Sequence, residues 1–288
     1  MTDPRSADTD EPSPGEFLPG TAIEVLNPDI ERGRISHALF DFDGTISLIR
    51  EGWQGIMCEM MTRTILAAPD AEDAEQVRRE VDDLIARTTG RQTIDQMAML
   101  ADEVRVRGGE TRPADAYKDE YLDDLARVVE DRREALRTGA AAPRDHVVPG
   151  SLDAIEWLAE RGVVLHIASG TDRDAVLLEA ELLGIAGHFE TIRGALPDPD
   201  AFSKAAVIDE LAENAPGSRL VSFGDGVVEM RHSAEVGAIA VGVASDEEQR
   251  EGVDEWKRGR LIEAGADVIV PDFREHERLL RWLCAEED

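Results

Sequence analysis

The chain has 288 residues, 42% of them hydrophobic, enough for one large core or two moderate ones, and its 62 Asp plus Glu against 31 Lys plus Arg give a formal net charge of −31. So acidic a chain repels nucleic acid and anionic membranes. It resembles proteins adapted to high salt, with plain acidic decoration as the alternative. No run approaches the ~20 apolar residues of a membrane helix. The N-terminus lacks a basic and apolar leader, and Cys58 and Cys284 have no metal spacing, so the expected setting is a reducing cytoplasm without nucleic-acid or membrane partners.

Residues 1–20 are rich in Asp, Glu, Pro, Ser and Gly, and they are expected to form a disordered acidic tail. Ala22 to Leu26 and Ile35 to Phe40 read as short strands around the turn Asn27-Pro28-Asp29. The second strand runs into Asp41-Phe42-Asp43-Gly44-Thr45. In an extended chain, side chains two apart point the same way. Two adjacent carboxylates repel unless a cation or a shared proton relieves them. A divalent metal bound by oxygen is the usual relief, Mg²⁺ being the commonest at phosphate chemistry. The bland alternative is a solvated acidic turn.

From Trp53 to about Leu136 apolar residues recur at helical spacing, as in Val77, Val81, Leu84 and again in Met97, Leu100, Val104. Pro69-Asp70, Thr88-Thr89-Gly90 and Gly108-Gly109 break this run into a four-helix insert, residues 51–139, with its methionines as core filler. Ala140-Ala141-Ala142-Pro143 reads as the hinge back, so residues 21–50 and 140–288 form the other domain.

Beyond the hinge, strands and helices alternate, with strands at 163–168, 189–193, 219–223, 239–243 and 267–270. That period predicts an α/β fold, a three-layer Rossmann-like parallel sheet with an inserted α-helical cap domain. Right-handed crossovers place every strand's C-terminal end on one edge, where ligands bind. Ser169, Gly170 and Thr171 stand at that edge after one strand, and Gly224, Asp225 and Gly226 after another. Lys204 opens a helix in the same half, in a chain whose only lysines are Lys118, Lys204 and Lys257. Together with Asp41 and Asp43 these groups suit a phosphoryl group with a magnesium ion. Singly, Ser169 also reads as a helix N-cap or a serine turn, and Lys204 as an exposed first-turn lysine. His166 is expected to be a satisfied core histidine, and Trp256-Lys257-Arg258 a surface or interaction loop without a chemical role.

Asp41 to Thr45, Ser169 after an apolar strand, Lys204 ahead of a helix, and Gly224-Asp225 followed by Glu229 resemble the four motifs of the haloacid dehalogenase superfamily. The sequence is similar to its phosphatases and phosphomutases with a helical cap between the first and second motifs, over about residues 35–285. The resemblance implies that Asp41 is a nucleophile forming an aspartyl-phosphate and Asp43 a general acid and base. It further implies that Ser169, Gly170 and Thr171 hold the phosphoryl oxygens, and that Lys204 neutralises phosphate and Asp41. Mg²⁺ would lie on Asp41, the Asp43 backbone carbonyl and Asp225. Glu229 stands where many relatives have a second Asp, and it would serve the outer shell through water. In similar capped enzymes a loop like Gly90-Arg91-Gln92 touches the substrate's far end. The activity implied is Mg²⁺-dependent hydrolysis of a small phosphorylated metabolite, a phosphosugar or phospho-acid, by a monomer or homodimer. A phosphomutase of the beta-phosphoglucomutase type is the alternative. A non-enzymatic binding protein on the same fold is disfavoured because every polar role is filled.

Overall fold

The computed structural model describes residues 15–88, 93–196 and 202–286. The described residues fall into two compact units, one up to Leu48 and from Pro143 onward, the other within Ile49–Ala142.

In the first unit, short β-branched and aromatic runs pair side by side. They are β1 (Glu16–Phe17), β2 (Glu24–Val25), β3 (His37–Phe40), β4 (Val164–Asp172), β5 (Phe189–Ala195), β6 (Leu220–Gly224), β7 (Ile239–Val243) and β8 (Val268–Val270). They form one eight-stranded sheet in the order β1-β2-β8-β7-β6-β3-β4-β5. Strands β3 to β8 pair in parallel, while β1 and β2 add antiparallel at one edge. β6 and β7 are buried along their whole length, as strands covered on both faces must be.

The chain leaves β3 toward β4 and β5 on one side and returns to β6, β7 and β8 on the other. That reversal is the topological switch point at which open α/β sheets bind ligands. Phe40 lies level with Ile167 on one neighbour and Phe223 on the other. Its ring stacks on Phe223 at 4.6 Å between centroids, and Phe273 meets Phe223 edge-on at 5.7 Å. These buried rings form an apolar floor directly below the residues that follow β3; such pairs contribute ~1 kcal/mol each beyond their buried area.

Glu16 and Phe17, expected within the acidic tail, instead pair with Val25 and Glu24. Glu24 is an acid in a buried strand, which composition alone cannot explain. Arg258 engages its carboxylate through Nε and Nη2 at 2.7 Å each, and the Gly15 N–H donates to it at 2.7 Å. This neutralisation lets an acidic segment add to the sheet, and the arginine holds the Glu24 carboxyl below its usual range.

The second unit holds α1 (Trp53–Leu66), α2 (Ala74–Thr88), α3 (Thr93–Val106) and α4 (Ala114–Thr138), and the first unit resumes with α5 (Ser151–Glu160) ahead of β4. Met57, Met60, Met61 and Met97 fill its core with Val77, Val81 and Leu100. Arg107, at 6% exposure, gathers the carboxylates of Glu72, Glu80 and Glu103. Residues Gly90, Arg91 and Gln92, expected to contact substrate, lie outside the described residues. No helix among the described residues is long and apolar enough to cross a membrane.

Candidate active site

β3 ends at Phe40, and the chain stays tied to the sheet for one further step, the Asp41 N–H donating to the Phe223 carbonyl at 2.8 Å. Asp41 is therefore held at the C-terminal edge, 7% exposed. One of its oxygens, Oδ1, accepts the Phe42 N–H at 2.7 Å, and the other, Oδ2, faces Lys204 Nζ at 2.8 Å. Burial pushes its carboxyl above the ordinary range, against the pull of Lys204, and the nearby Asp225 pushes the same way.

Lys204 opens α7 (Lys204–Asn214), a helix capped by Ser203, whose Oγ accepts the Ala206 N–H. Its side chain is not an exposed first-turn lysine. The ammonium bridges Asp41 and Glu229, which sits in the first turn of α8 (Val227–Val236). Glu229 thus contacts Lys204, and its other oxygen, Oε2, is buried without a hydrogen-bond partner among the described residues. A Cβ on Gly226 would lie 2.3 Å from that oxygen, so the glycine leaves room for the folded-back carboxylate.

Ser169 and Thr171 belong to the extended end of β4. The Thr171 hydroxyl donates to Asp43 Oδ2 at 2.7 Å, and Ser169 Oγ reaches the same oxygen at 3.4 Å. Ser169 Oγ also accepts the Thr171 N–H at 3.0 Å. The serine turn allowed from the sequence is therefore present, but the same hydroxyl faces the second acid. The N-cap of α6 (Arg173–Leu182) is Asp172, so Ser169 is not that cap. Gly170 is exposed between them, with open space beside its Cα.

Gly44 turns the chain away with φ of 75°, and a Cβ there would lie 2.3 Å from Asp225 Oδ2. Only glycine fits a left-handed turn packed this closely on a carboxylate. Asp225 follows β6 directly, and its Oδ2 faces Lys257 Nζ at 3.2 Å. Lys257 was expected on a surface loop. Instead it is 8% exposed on α9 (Glu255–Glu263) and also meets Glu247 Oε1 at 2.6 Å. Neighbouring Arg258 is likewise no loop residue, being the partner of Glu24. The signal for Lys257 lay in the lysine scarcity, since two of the three lysines meet site carboxylates. Nothing in the sequence marked Glu247 among so many acids.

Among the described residues, no three His, Cys, Asp or Glu side chains form a ready metal cage. The donor set is sparser: the Asp41 and Asp225 carboxylates, close enough for one to raise the other's pKa, beside the main chain at Asp43. Such oxygens fit Mg²⁺, which commonly takes one or two carboxylates and keeps several waters.

His166 is buried in β4, with Nδ1 2.9 Å from Thr191 Oγ1 and its ring stacked on His37 at 5.6 Å. Burial, then the charges of His37 and Arg193, lower its pKa to about 4. It is a structural histidine below the site.

Sheet order and side chains together define a Rossmann-like α/β protein with an acid-and-lysine centre at its switch point. A family model for haloacid dehalogenase-like hydrolases matches residues 35–237, and the chain belongs to that family. Similar solved structures include a predicted phosphoglycolate phosphatase of Haemophilus somnus, 14% identical with a TM-score of 0.57, the match covering 85% of this chain and 98% of that one. CbbY of Rhodobacter sphaeroides, solved with xylulose-1,5-bisphosphate, is 18% identical with a TM-score of 0.54, covering 84% and 96%. A candidate beta-phosphoglucomutase of Thermotoga maritima is 17% identical with a TM-score of 0.53, covering 86% and 100%. At such identities these likenesses concern the fold alone. No curated protein matches the chain in sequence.

Proposed function

We propose that the chain hydrolyses a small phosphomonoester, a phosphosugar or phospho-acid, through an aspartyl-phosphate on Asp41. The observation that carries this reading is the buried Asp41 carboxylate at the switch point, held 2.8 Å from Lys204 with Asp225 alongside. A carboxylate oriented by a backbone N–H and an ammonium is a positioned nucleophile. Asp41 attacks phosphorus, the ester P–O bond breaks, and Asp43 gives its proton to the departing alkoxide. Asp43 then takes a proton from water, which attacks the same phosphorus and frees Asp41 and inorganic phosphate.

Asp43 suits the proton role because its Oδ2 is held by the Thr171 and Ser169 hydroxyls. Those hydroxyls, with the Gly170 amide, orient the phosphoryl oxygens, and Lys204 neutralises charge shared between phosphate and Asp41. Asp41, Asp225 and the Asp43 carbonyl would hold Mg²⁺, which supplies Lewis-acid stabilisation of phosphoryl charge. Glu229 positions Lys204.

The test is a panel of phosphorylated sugars and acids with Mg²⁺, scored by released inorganic phosphate. Asp41→Asn is expected to lower turnover at least ~1,000-fold, and a chelator to abolish it. Wild-type turnover in that variant, or indifference to the chelator, refutes the reading. Transfer to a second hydroxyl of the substrate, without phosphate release, would identify a mutase.

A further inference from the structure

We propose that Glu247 is a latent third carboxylate of the metal site, and that Lys257 holds it back. The proposal rests on the metal-dependent reading above.

The geometry begins at Gly44, next in sequence to Asp43. A Cβ there would lie 2.3 Å from Asp225 Oδ2 and 3.1 Å from Glu247 Oε1. Both oxygens therefore crowd the same point of the acid turn. Lys257 Nζ engages both carboxylates, at 3.2 Å from Asp225 and 2.6 Å from Glu247.

The segment carrying Glu247 is fastened across the turn. Ser245 Oγ donates to the Gly44 carbonyl at 3.0 Å, Ser245 bridges to Val253, and the Asp254 N–H donates to the Ala244 carbonyl at 2.9 Å. The Asp254 carboxylate caps α9 by accepting the Trp256 and Lys257 N–H groups at 2.9 and 3.0 Å. Lys257 is thus delivered from a capped helix start, and its compact ammonium fits between two oxygens where a planar guanidinium would not.

The consequence is ion choice. With Glu247 engaged by Lys257, the site offers the two carboxylates of Asp41 and Asp225, a set suited to a small ion that keeps its waters. Release of Glu247 adds a third hard anion, which favours a larger ion of higher coordination such as Ca²⁺. Lys257 is then a specificity-determining residue for the metal.

Calorimetric titration of the chelator-stripped protein with CaCl₂ and with MgCl₂ tests this without measuring turnover. Lys257→Met is expected to bind Ca²⁺ about tenfold tighter than wild type, the scale of removing one nearby fixed charge, with a smaller gain for Mg²⁺. Glu247→Gln leaves the ammonium on Asp225 alone and is expected to weaken both ions. The double variant, whose local charge balance matches wild type, is expected to return to wild-type selectivity, and it guards against a folding defect in the single. Unchanged or weaker Ca²⁺ binding by a folded Lys257→Met protein overturns the proposal. So does a double variant that keeps the tight Ca²⁺ binding, because Glu247 would then not be the added ligand. A wild-type protein that binds neither ion would overturn the metal reading itself, and this proposal with it.

Discussion

Replacing Lys204 with Met removes one ammonium from between two acids that water scarcely reaches. Asp41 and Glu229 are 7% and 2% exposed, so both carboxylates would be left buried without their cation. Breaking a buried ion pair this way costs ~3 to 5 kcal/mol. Asp41 limits the loss by taking up a proton, because its carboxyl already sits above the usual range through burial and Asp225. We therefore expect ~3 kcal/mol at pH 8 without metal, a fall of ~6 to 12 °C in melting temperature for a unit of this size. The pH dependence has a definite sign. A carboxyl whose folded pKa is raised favours folding at acid pH and costs stability as pH rises through the folded value. Loss of Lys204 raises that value further, so the gap between variant and wild type should be larger at pH 8 than at pH 5. Circular-dichroism melts of both proteins with a chelator, at the two pH values, measure it. Equal melting temperatures at pH 8, or a gap independent of pH, would refute the argument that this lysine offsets buried charge.

Arg107→Met strips the shared cation from Glu72, Glu80 and Glu103, which then repel one another. The helical unit should melt roughly 5 °C lower in dilute buffer and recover in molar salt, where repulsion is screened; a salt-independent loss would point to packing instead. Burial, and then the bond its Sγ donates to Asp82 at 2.9 Å, raise the Cys58 thiol from 9.0 to about 11. The thiol should resist alkylation at pH 8 in the folded protein. Stability should also fall as pH climbs from about 9 to about 11, because the unfolded chain ionises first; rapid native-state alkylation would contradict this.

Alternation of apolar runs made the central sheet legible, because burial on both faces leaves a strand such as Ile239 to Val243 without any polar break, and Val221 to Phe223 with only the small Ser222. Strand direction then brought Asp41, Asp43, Ser169, Thr171 and Asp225 to one edge, and the structure does bring them together. What stayed hidden was the pairing of charges. Thirty-one basic residues among 62 acids give no local clue to which acid each one serves. Arg258 meets Glu24 across 234 residues of sequence, so nothing nearby showed that the strand at Ala22 to Leu26 could take Glu16 and Phe17 as its neighbours, and those two read as tail. Lys257 followed an exposed Trp256 in a charged stretch, where helical spacing alone cannot say which face is buried. The same rarity that singled out Lys204 applied equally to Lys257.

None of the three lysines lies on the open surface, Lys118 being half-buried on α4 and the other two engaged with acids. The exterior positive charge of the described residues is therefore carried by guanidinium groups. Amine-directed chemistry, whether acylation, reductive methylation or cross-linking, finds few side-chain targets outside the acidic centre. An acylating reagent that inactivates the protein would accordingly report on Lys204 or Lys257, with little background from the rest of the molecule.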